Sequence, residues 1–137
     1  MNILVVEDDP NLLGLWGRTL GREGHRTVLA DTEAAALAAL GDRRFDLVLL
    51  DLFCRNGLAS GVIGMAATRS PDCKVVVVCG TAGTCGTDLF ALSPNVAAVL
   101  SKPVDIEDLL AVCEAVGRGQ RPLRVPTPEN WAIEFRS

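Results

Sequence analysis

Four short apolar runs, Ile3 to Val6, Leu47 to Leu50 (within a strand read from Phe45), Val75 to Val78 and Ala97 to Leu100, recur along the chain, and each stops at a polar or small residue. Runs of this length, rich in β-branched and leucine side chains and bounded by turn residues, read as strands buried on both faces. Strands of that kind need helices above and below them. The intervening segments have the length and spacing to supply those helices, so the pattern selects an α/β architecture with a parallel sheet.

The helices announce their own ends. Asp9-Pro10 reads as an N-cap followed by proline at the first helical position, and Leu12, Leu13, Trp16 and Leu20 then recur at helical intervals until Gly24. Trp16 is expected in the core or on partly exposed helix surface, and His25 at the surface. A second strand follows near Arg26 to Ala30, and Asp31 or Thr32 caps an alanine-rich helix carrying Leu37 and Leu40 up to Gly41. After Asp51 come a turn at Asn56-Gly57 and a third helix over Gly61 to Arg69, ended by Ser70-Pro71-Asp72. A small-residue loop, Gly80 to Gly86, precedes a short fourth helix around Thr87 to Leu92, weakly supported by its composition. Asp105 caps the last helix, with Ile106, Leu109, Leu110, Cys113 and Val116 as its apolar stripe and Gly117 as its stop.

Five βα units therefore fill residues 1–117 and predict a three-layer (βα)5 sandwich with right-handed crossovers and strand order 2-1-3-4-5. Residues 118–137 read as a tail or linker, since Gly119, Pro122, Pro126 and Pro128 prevent a long helix. Within it Trp131, Ile133 and Phe135 alternate with polar residues. They form either a short strand packed on the same domain or a docking peptide for a partner.

Composition narrows the function classes. At 137 residues and 49% apolar, the chain has material for one globular core, and no apolar stretch approaches the roughly 20 residues a membrane span needs. Met1-Asn2 leads straight into a strand without a basic leader, so the expectation is a cytoplasmic protein with no membrane partner. Five cysteines without a C-x-x-C pair, and a single histidine, assemble no zinc pattern and suit a reducing compartment. A net charge of −4 argues against direct nucleic-acid binding by the domain.

Three polar clusters stand directly after strands: Glu7-Asp8-Asp9, Asp51, and Lys102-Pro103. Strand order 2-1-3-4-5 brings Glu7, Asp8 and Asp51 together at the carboxyl edge of the first and third strands, and delivers Cys79 and Lys102 from the other side. Three carboxylates in such proximity repel one another, and a small hard cation such as Mg²⁺ relieves that repulsion. A carboxylate nucleophile attacking phosphorus also needs positive charge on the equatorial oxygens, which a cation and the ammonium of Lys102 supply. Blander readings exist for each: the acids as a capping cluster, Lys102-Pro103 as a solvated turn, Cys79 as a small buried apolar residue.

Taken together, Ile3 to Pro10, Phe45 to Leu52 and Ser101-Lys102-Pro103 resemble the receiver domain of two-component response regulators, over residues 1 to about 117. The resemblance implies a flavodoxin-like doubly wound fold. It also implies that Asp51 is the phosphoacceptor, that Glu7, Asp8, Asp51 and the backbone carbonyl of Phe53 hold Mg²⁺, and that Lys102 stabilises the phosphoryl group. The implied partner is a histidine kinase or phosphotransfer protein, and the face of the fourth helix, fifth strand and last helix is implied as a homodimer surface. Such a chain is no enzyme beyond catalysing its own phosphorylation and dephosphorylation.

Three places depart from the family pattern. Receivers carry threonine or serine at the end of the fourth strand, where Cys79 stands, with Thr81 two residues on as the substitute hydroxyl. The switch position three residues before Lys102, usually aromatic, is Val99, and Cys54-Arg55 replaces a common hydrophobic-proline pair. A thiol is a weak donor and valine cannot act as an aromatic rotor. The expected function is a Mg²⁺-dependent phosphoacceptor. Its alternative is a receiver-like interaction or scaffold domain whose output does not depend on phosphorylation.

Overall fold

The computed structural model describes residues 1–54, 57–58, 60–79, 89–101, 104–119 and 133–135, with the backbone alone at 53–54, 57–58 and 133–135. Strand β1 (Asn2–Val6) leads to α1 (Pro10–Arg22), β2 (Arg26–Ala30), α2 (Glu33–Asp42) and β3 (Leu47–Asp51). A two-residue hairpin, β4 (Phe53–Cys54) with β5 (Gly57–Leu58), precedes α3 (Ser60–Arg69) and β6 (Lys74–Cys79). A 3-10 turn at Leu89–Ala91, β7 (Val96–Ser101), α4 (Ile106–Gly117) and β8 (Ile133–Phe135) complete the order.

The main sheet runs β2-β1-β3-β6-β7-β8. Its first five strands are parallel, in the 2-1-3-4-5 order that the sequence pattern predicts. Alternation along each strand splits the core into two layers. Leu4, Val6, Val48, Leu50, Val75, Val77, Cys79 and Val99 face one way, against Ala36 and Leu40 of α2 and Val62, Ile63 and Ala66 of α3. On the other face Ile3, Val5, Leu47, Leu49, Val76, Val78 and Leu100 meet Trp16 and Leu20 of α1 and Leu109, Val112, Cys113 and Val116 of α4. Every residue from Leu47 to Leu50 is wholly buried. Each such side chain contributes about 1.5–3 kcal/mol as an upper bound, which is why β3 anchors the sheet.

The caps behave as their side chains dictate. Asp9 accepts hydrogen bonds from the N–H groups of Asn11 (2.8 Å) and Leu12 (3.4 Å), Thr32 from Ala35 (3.0 Å), and Asp105 from Glu107 (2.8 Å) and Asp108 (3.3 Å). Gly24 takes φ +88° just past α1, a left-handed conformation that glycine adopts without the steric cost of a Cβ. Asn95 is a polar residue buried in the core. Its side-chain amide donates to the carbonyl of Cys73 at 2.6 Å and to those of Ser70 and Pro71, tying the entry of β6 to that of β7.

Three expectations are revised. Phe45 is buried but precedes β3, which starts at Leu47 and extends to Asp51. The described end of the Thr87 to Leu92 segment is a 3-10 turn over Leu89–Ala91 instead of part of an α-helix, with residues 80–88 lying outside the described ones. His25 is largely covered: its Nδ1 lies 3.2 Å from the Met1 amine and its Nε2 3.2 Å from Oε2 of Glu114, so the α1–β2 turn is tied to the chain's start and to α4. Asp108, in the first turn of α4, is buried, and desolvation, with Asp105 and Glu107 adding repulsion, pushes its carboxyl above the usual range. The Asn56-Gly57 turn is seen only through the flanking hairpin, since residue 56 lies outside the described ones.

The tail adds a sixth strand. β8 runs antiparallel to β7, with Ala98, Val99 and Leu100 opposite Phe135, Glu134 and Ile133. An open edge strand presents unpaired N–H and C=O groups to any other chain. Removal of residues 118–137 is therefore expected to leave the far-UV circular dichroism of the α/β fold intact while increasing self-association, measured by light scattering across a concentration series. A truncated chain that associates no more than the full one would show that β8 protects nothing.

Candidate functional site

Strand β1 ends where the charge begins. The N–H of Glu7 donates to the carbonyl of Ala30 at 3.1 Å, extending the β1–β2 ladder by one residue and fixing the Glu7 backbone at the sheet edge. Its side chain is buried, and its Oε1 accepts from the N–H of Asp9 at 3.3 Å. Asp9 is committed to capping α1, so the capping reading of the acidic cluster holds for Asp9 alone. Asp8 is half-buried.

Asp51 closes β3, directly after four wholly buried residues, and is itself 2% exposed. It sits in register with Val78, and the next N–H, that of Leu52, donates to the Val78 carbonyl at 3.0 Å. Carboxylate oxygens of Glu7, Asp8 and Asp51 lie within 4.8 Å of one another. At an effective dielectric near 20, like charges at such a separation repel by roughly 3–4 kcal/mol per pair. Three oxygen donors and no nitrogen or sulfur suit a hard divalent cation of the Mg²⁺ or Ca²⁺ type and not a thiolate- or imidazole-seeking one. The donor set fits such an ion, which would offset most of the cluster's charge and leave coordination positions for water or an oxyanion.

The remaining site residues divide. Ser101, immediately before Lys102, pairs with Cys79 at the same edge of the sheet, but Lys102, Pro103 and Thr81 lie outside the described residues. The backbone of Phe53 opens β4, two residues beyond Asp51. Cys79 is wholly buried at the end of β6. It is disulfide-bonded, so its sulfur carries no proton to donate. Val99 is buried in the same core layer as Cys79, with Phe90 of the 3-10 turn packed against that layer. Cys79 and Val99, which both depart from the family pattern, thus share one face of the sheet. The disulfide runs against the reading of the scattered cysteines as suited to a reducing compartment, and sequence reasoning missed it because no two cysteines stand at a spacing that signals pairing.

A family model described as the response regulator receiver domain matches residues 3–114. The photosynthetic apparatus regulatory protein RegA of Rhodovulum sulfidophilum is 30% identical over 94% of this chain and 68% of its own. The transcriptional regulatory protein GlrR of Escherichia coli K12 is 32% identical over 99% of this chain and 30% of its own. Among solved structures, a CheY-like response regulator receiver domain protein from Methanospirillum hungatei superposes with a TM-score of 0.77 at 28% identity, covering 87% of this chain and 94% of that one. The chain thus spans about two thirds of the RegA relative and under a third of GlrR.

Two outcomes follow from this geometry. Mg²⁺ or Ca²⁺ is expected to raise the thermal midpoint of the wild type, by a stabilisation of about 2.7 kcal/mol at a hundredfold excess over Kd, and to leave the Asp8→Asn/Asp51→Asn double variant unmoved. Differential scanning fluorimetry reads this, and an equal shift in the variant would place the ion elsewhere. The second concerns sulfur. Burial, the largest cause in each case, pushes the thiols of Cys73 and Cys113 up to about 12, so both resist alkylation in the folded chain. In denaturant, adding a reductant before the alkylating agent is expected to increase the label by two groups per chain. Equal labelling with and without reductant would remove the Cys79 disulfide.

Proposed function

The chain belongs to the response regulator receiver domain family, and from that premise we propose that Asp51 is the phosphoacceptor of a two-component relay. Its charge comes from a histidine kinase or phosphotransfer protein. The observation that carries the reading is the convergence of Glu7, Asp8 and Asp51 at the carboxyl edge of the sheet, with Asp51 held almost without solvent at the end of the most buried strand. Ligands of open α/β sheets bind at that edge, where the strand order reverses.

In this reading Glu7, Asp8, Asp51 and the backbone carbonyl of Phe53 hold Mg²⁺. When bound, the ion supplies positive charge to the equatorial phosphoryl oxygens. One carboxylate oxygen of Asp51 attacks phosphorus in line with the bond to the donor imidazole; the P–O bond forms as the P–N bond breaks, and the electron pair leaves with the imidazole nitrogen. Lys102 offers its ammonium to the same oxygens. The burial of Asp51 restricts water around the acyl phosphate. No turnover of an outside substrate is part of the proposal. The reading assigns the chain to the cytoplasm, where kinases charge their histidines from ATP.

A second reading, a receiver-like interaction or scaffold domain, is favoured by one specific observation. Cys79 occupies the position from which a hydroxyl would meet the phosphoryl group, and its sulfur is bonded to another sulfur. With Val99 in place of an aromatic side chain, the ordinary relay into the output face has neither of its parts; Thr81 is left as the substitute donor. A homodimer through the last strand of the parallel set would also have to accommodate β8, which already pairs with Ala98–Leu100.

Incubation with Mg²⁺ and a small phosphodonor is expected to add the mass of one phosphoryl group to the wild type and none to Asp51→Asn, read by intact-mass spectrometry. An unlabelled wild type, under conditions that label an ordinary receiver, sinks the phosphoacceptor reading. Beryllofluoride, a mimic of the bound phosphoryl group, then separates switch from scaffold: amide NMR shifts confined to the acidic pocket favour the scaffold, and shifts reaching β6 and β7 favour the switch.

A further inference from the structure

The edge of the sheet opposite the three carboxylates holds a second concentration of charge, of the other sign. A cavity of about 410 Å³ opens there, beside the amino ends of β1 and β2, and its walls include Arg26, Arg43 and Arg44. Arg26 starts β2, and its N–H donates to the carbonyl of Met1 at 2.9 Å. Arg43 closes α2, its N–H bonded to the Ala39 carbonyl, and Phe45, 3% exposed, pins the following residues into the core. Sheet and core thus fix the backbones that bring three guanidinium-bearing residues to one cavity.

Structural duties do not account for them. Among the described residues none of the three guanidiniums is in an ion pair. The carbonyl of Gly41 near the end of α2, which a basic residue could cap, is already served by Arg69, whose Nη2 donates to it at 3.0 Å. Asp46, the nearest acid along the chain after Arg44, accepts the N–H of Asn2 at 2.7 Å. One acidic residue, Asp42, stands among the lining residues against three arginines, so the residues around the cavity carry an excess of positive charge in a chain whose net charge is −4. Guanidinium forks match phosphate oxygens two at a time, and Thr27, also in the wall, carries a hydroxyl of the kind that completes such sites. The volume lies within the range of about 300–1,000 Å³ typical of small-ligand sites and far exceeds what a single halide fills.

We propose that this cavity binds a small phosphate-bearing anion with at least two negative charges, of which a diphosphate group is the model. The site lies one strand length, roughly 15 Å, from Asp51, and it stands whether or not Asp51 accepts a phosphoryl group.

The test is a titration of the full chain with inorganic pyrophosphate, without divalent cations, followed by amide NMR in the wild type and in Asp51→Asn. Saturable shifts are expected at Arg26, Thr27, Arg43, Arg44 and Phe45, equal in the two proteins. The Arg43→Gln/Arg44→Gln variant, which changes only exposed side chains, is expected to bind at least about tenfold more weakly while keeping its amide dispersion. A parallel titration with a nucleoside diphosphate distinguishes the sources: tighter binding than pyrophosphate assigns the site to a nucleotide, equal binding to the free diphosphate. The proposal is overturned by the absence of saturable shifts at these amides up to about 10 mM, by identical shifts with sodium chloride at matched ionic strength, or by an unweakened arginine variant.

Discussion

Burial of the central strands on both faces is the constraint from which the rest of this molecule follows. Ile3–Val6, Leu47–Leu50 and Val75–Val78 are wholly buried between two helical layers. An ionised group placed within those strands would have to be desolvated without compensation, which costs several kcal/mol even after relaxation. Charge is therefore pushed to the ends of the strands. Because the strands are parallel, all carboxyl ends lie along one edge and all amino ends along the other, so residues far apart in sequence accumulate as two poles: Glu7, Asp8 and Asp51 at one, Arg26, Arg43 and Arg44 at the other.

Each pole is a concentration of like charge, and the physical consequences run in parallel. Three carboxylates within 4.8 Å favour a hard cation; three guanidiniums around one cavity favour a multivalent anion. What differs is the mechanical setting. The acidic pole rests on the ends of two central buried strands, β1 and β3, and on the capped start of α1, so its carboxylates are held by the core. The basic pole rests on exposed side chains carried by a strand start and a helix end, with Phe45 alone as a deep anchor. The disulfide at Cys79 adds a covalent constraint beside the acidic pole, at the position where a receiver ordinarily holds a mobile hydroxyl.

Much of this was legible in the chain itself. Asp9-Pro10, the pair Asp31-Thr32 and Asp105 announced the starts of three helices, with Thr32 the one of the pair that caps, because short acceptor side chains reach orphan backbone N–H groups over a distance of two or three residues, a wholly local interaction. The acidic triad was legible for a different reason: strand-end residues can be assigned to a common edge once the strand order is chosen, and chirality leaves few orders to choose from. Boundaries were less so. Phe45 looks like part of β3 because burial and apolarity do not distinguish a strand residue from the loop residue that plugs the core beneath it. The Thr87 to Leu92 segment has helical length without helical composition, and its described end settles into a 3-10 turn.

The sequence by itself determined the fold class, the parallel strand order and the meeting of Glu7, Asp8 and Asp51, because apolar periodicity, caps and crossover handedness are set by short-range chemistry. Only the tertiary structure decided the rest: that Cys79 is disulfide-bonded, that His25 bridges Met1 and Glu114, that β8 takes the open edge of β7, and that three arginines share a cavity. Each of these depends on which side chains from distant segments come within bonding distance. That distance is an outcome of packing, which no local pattern encodes.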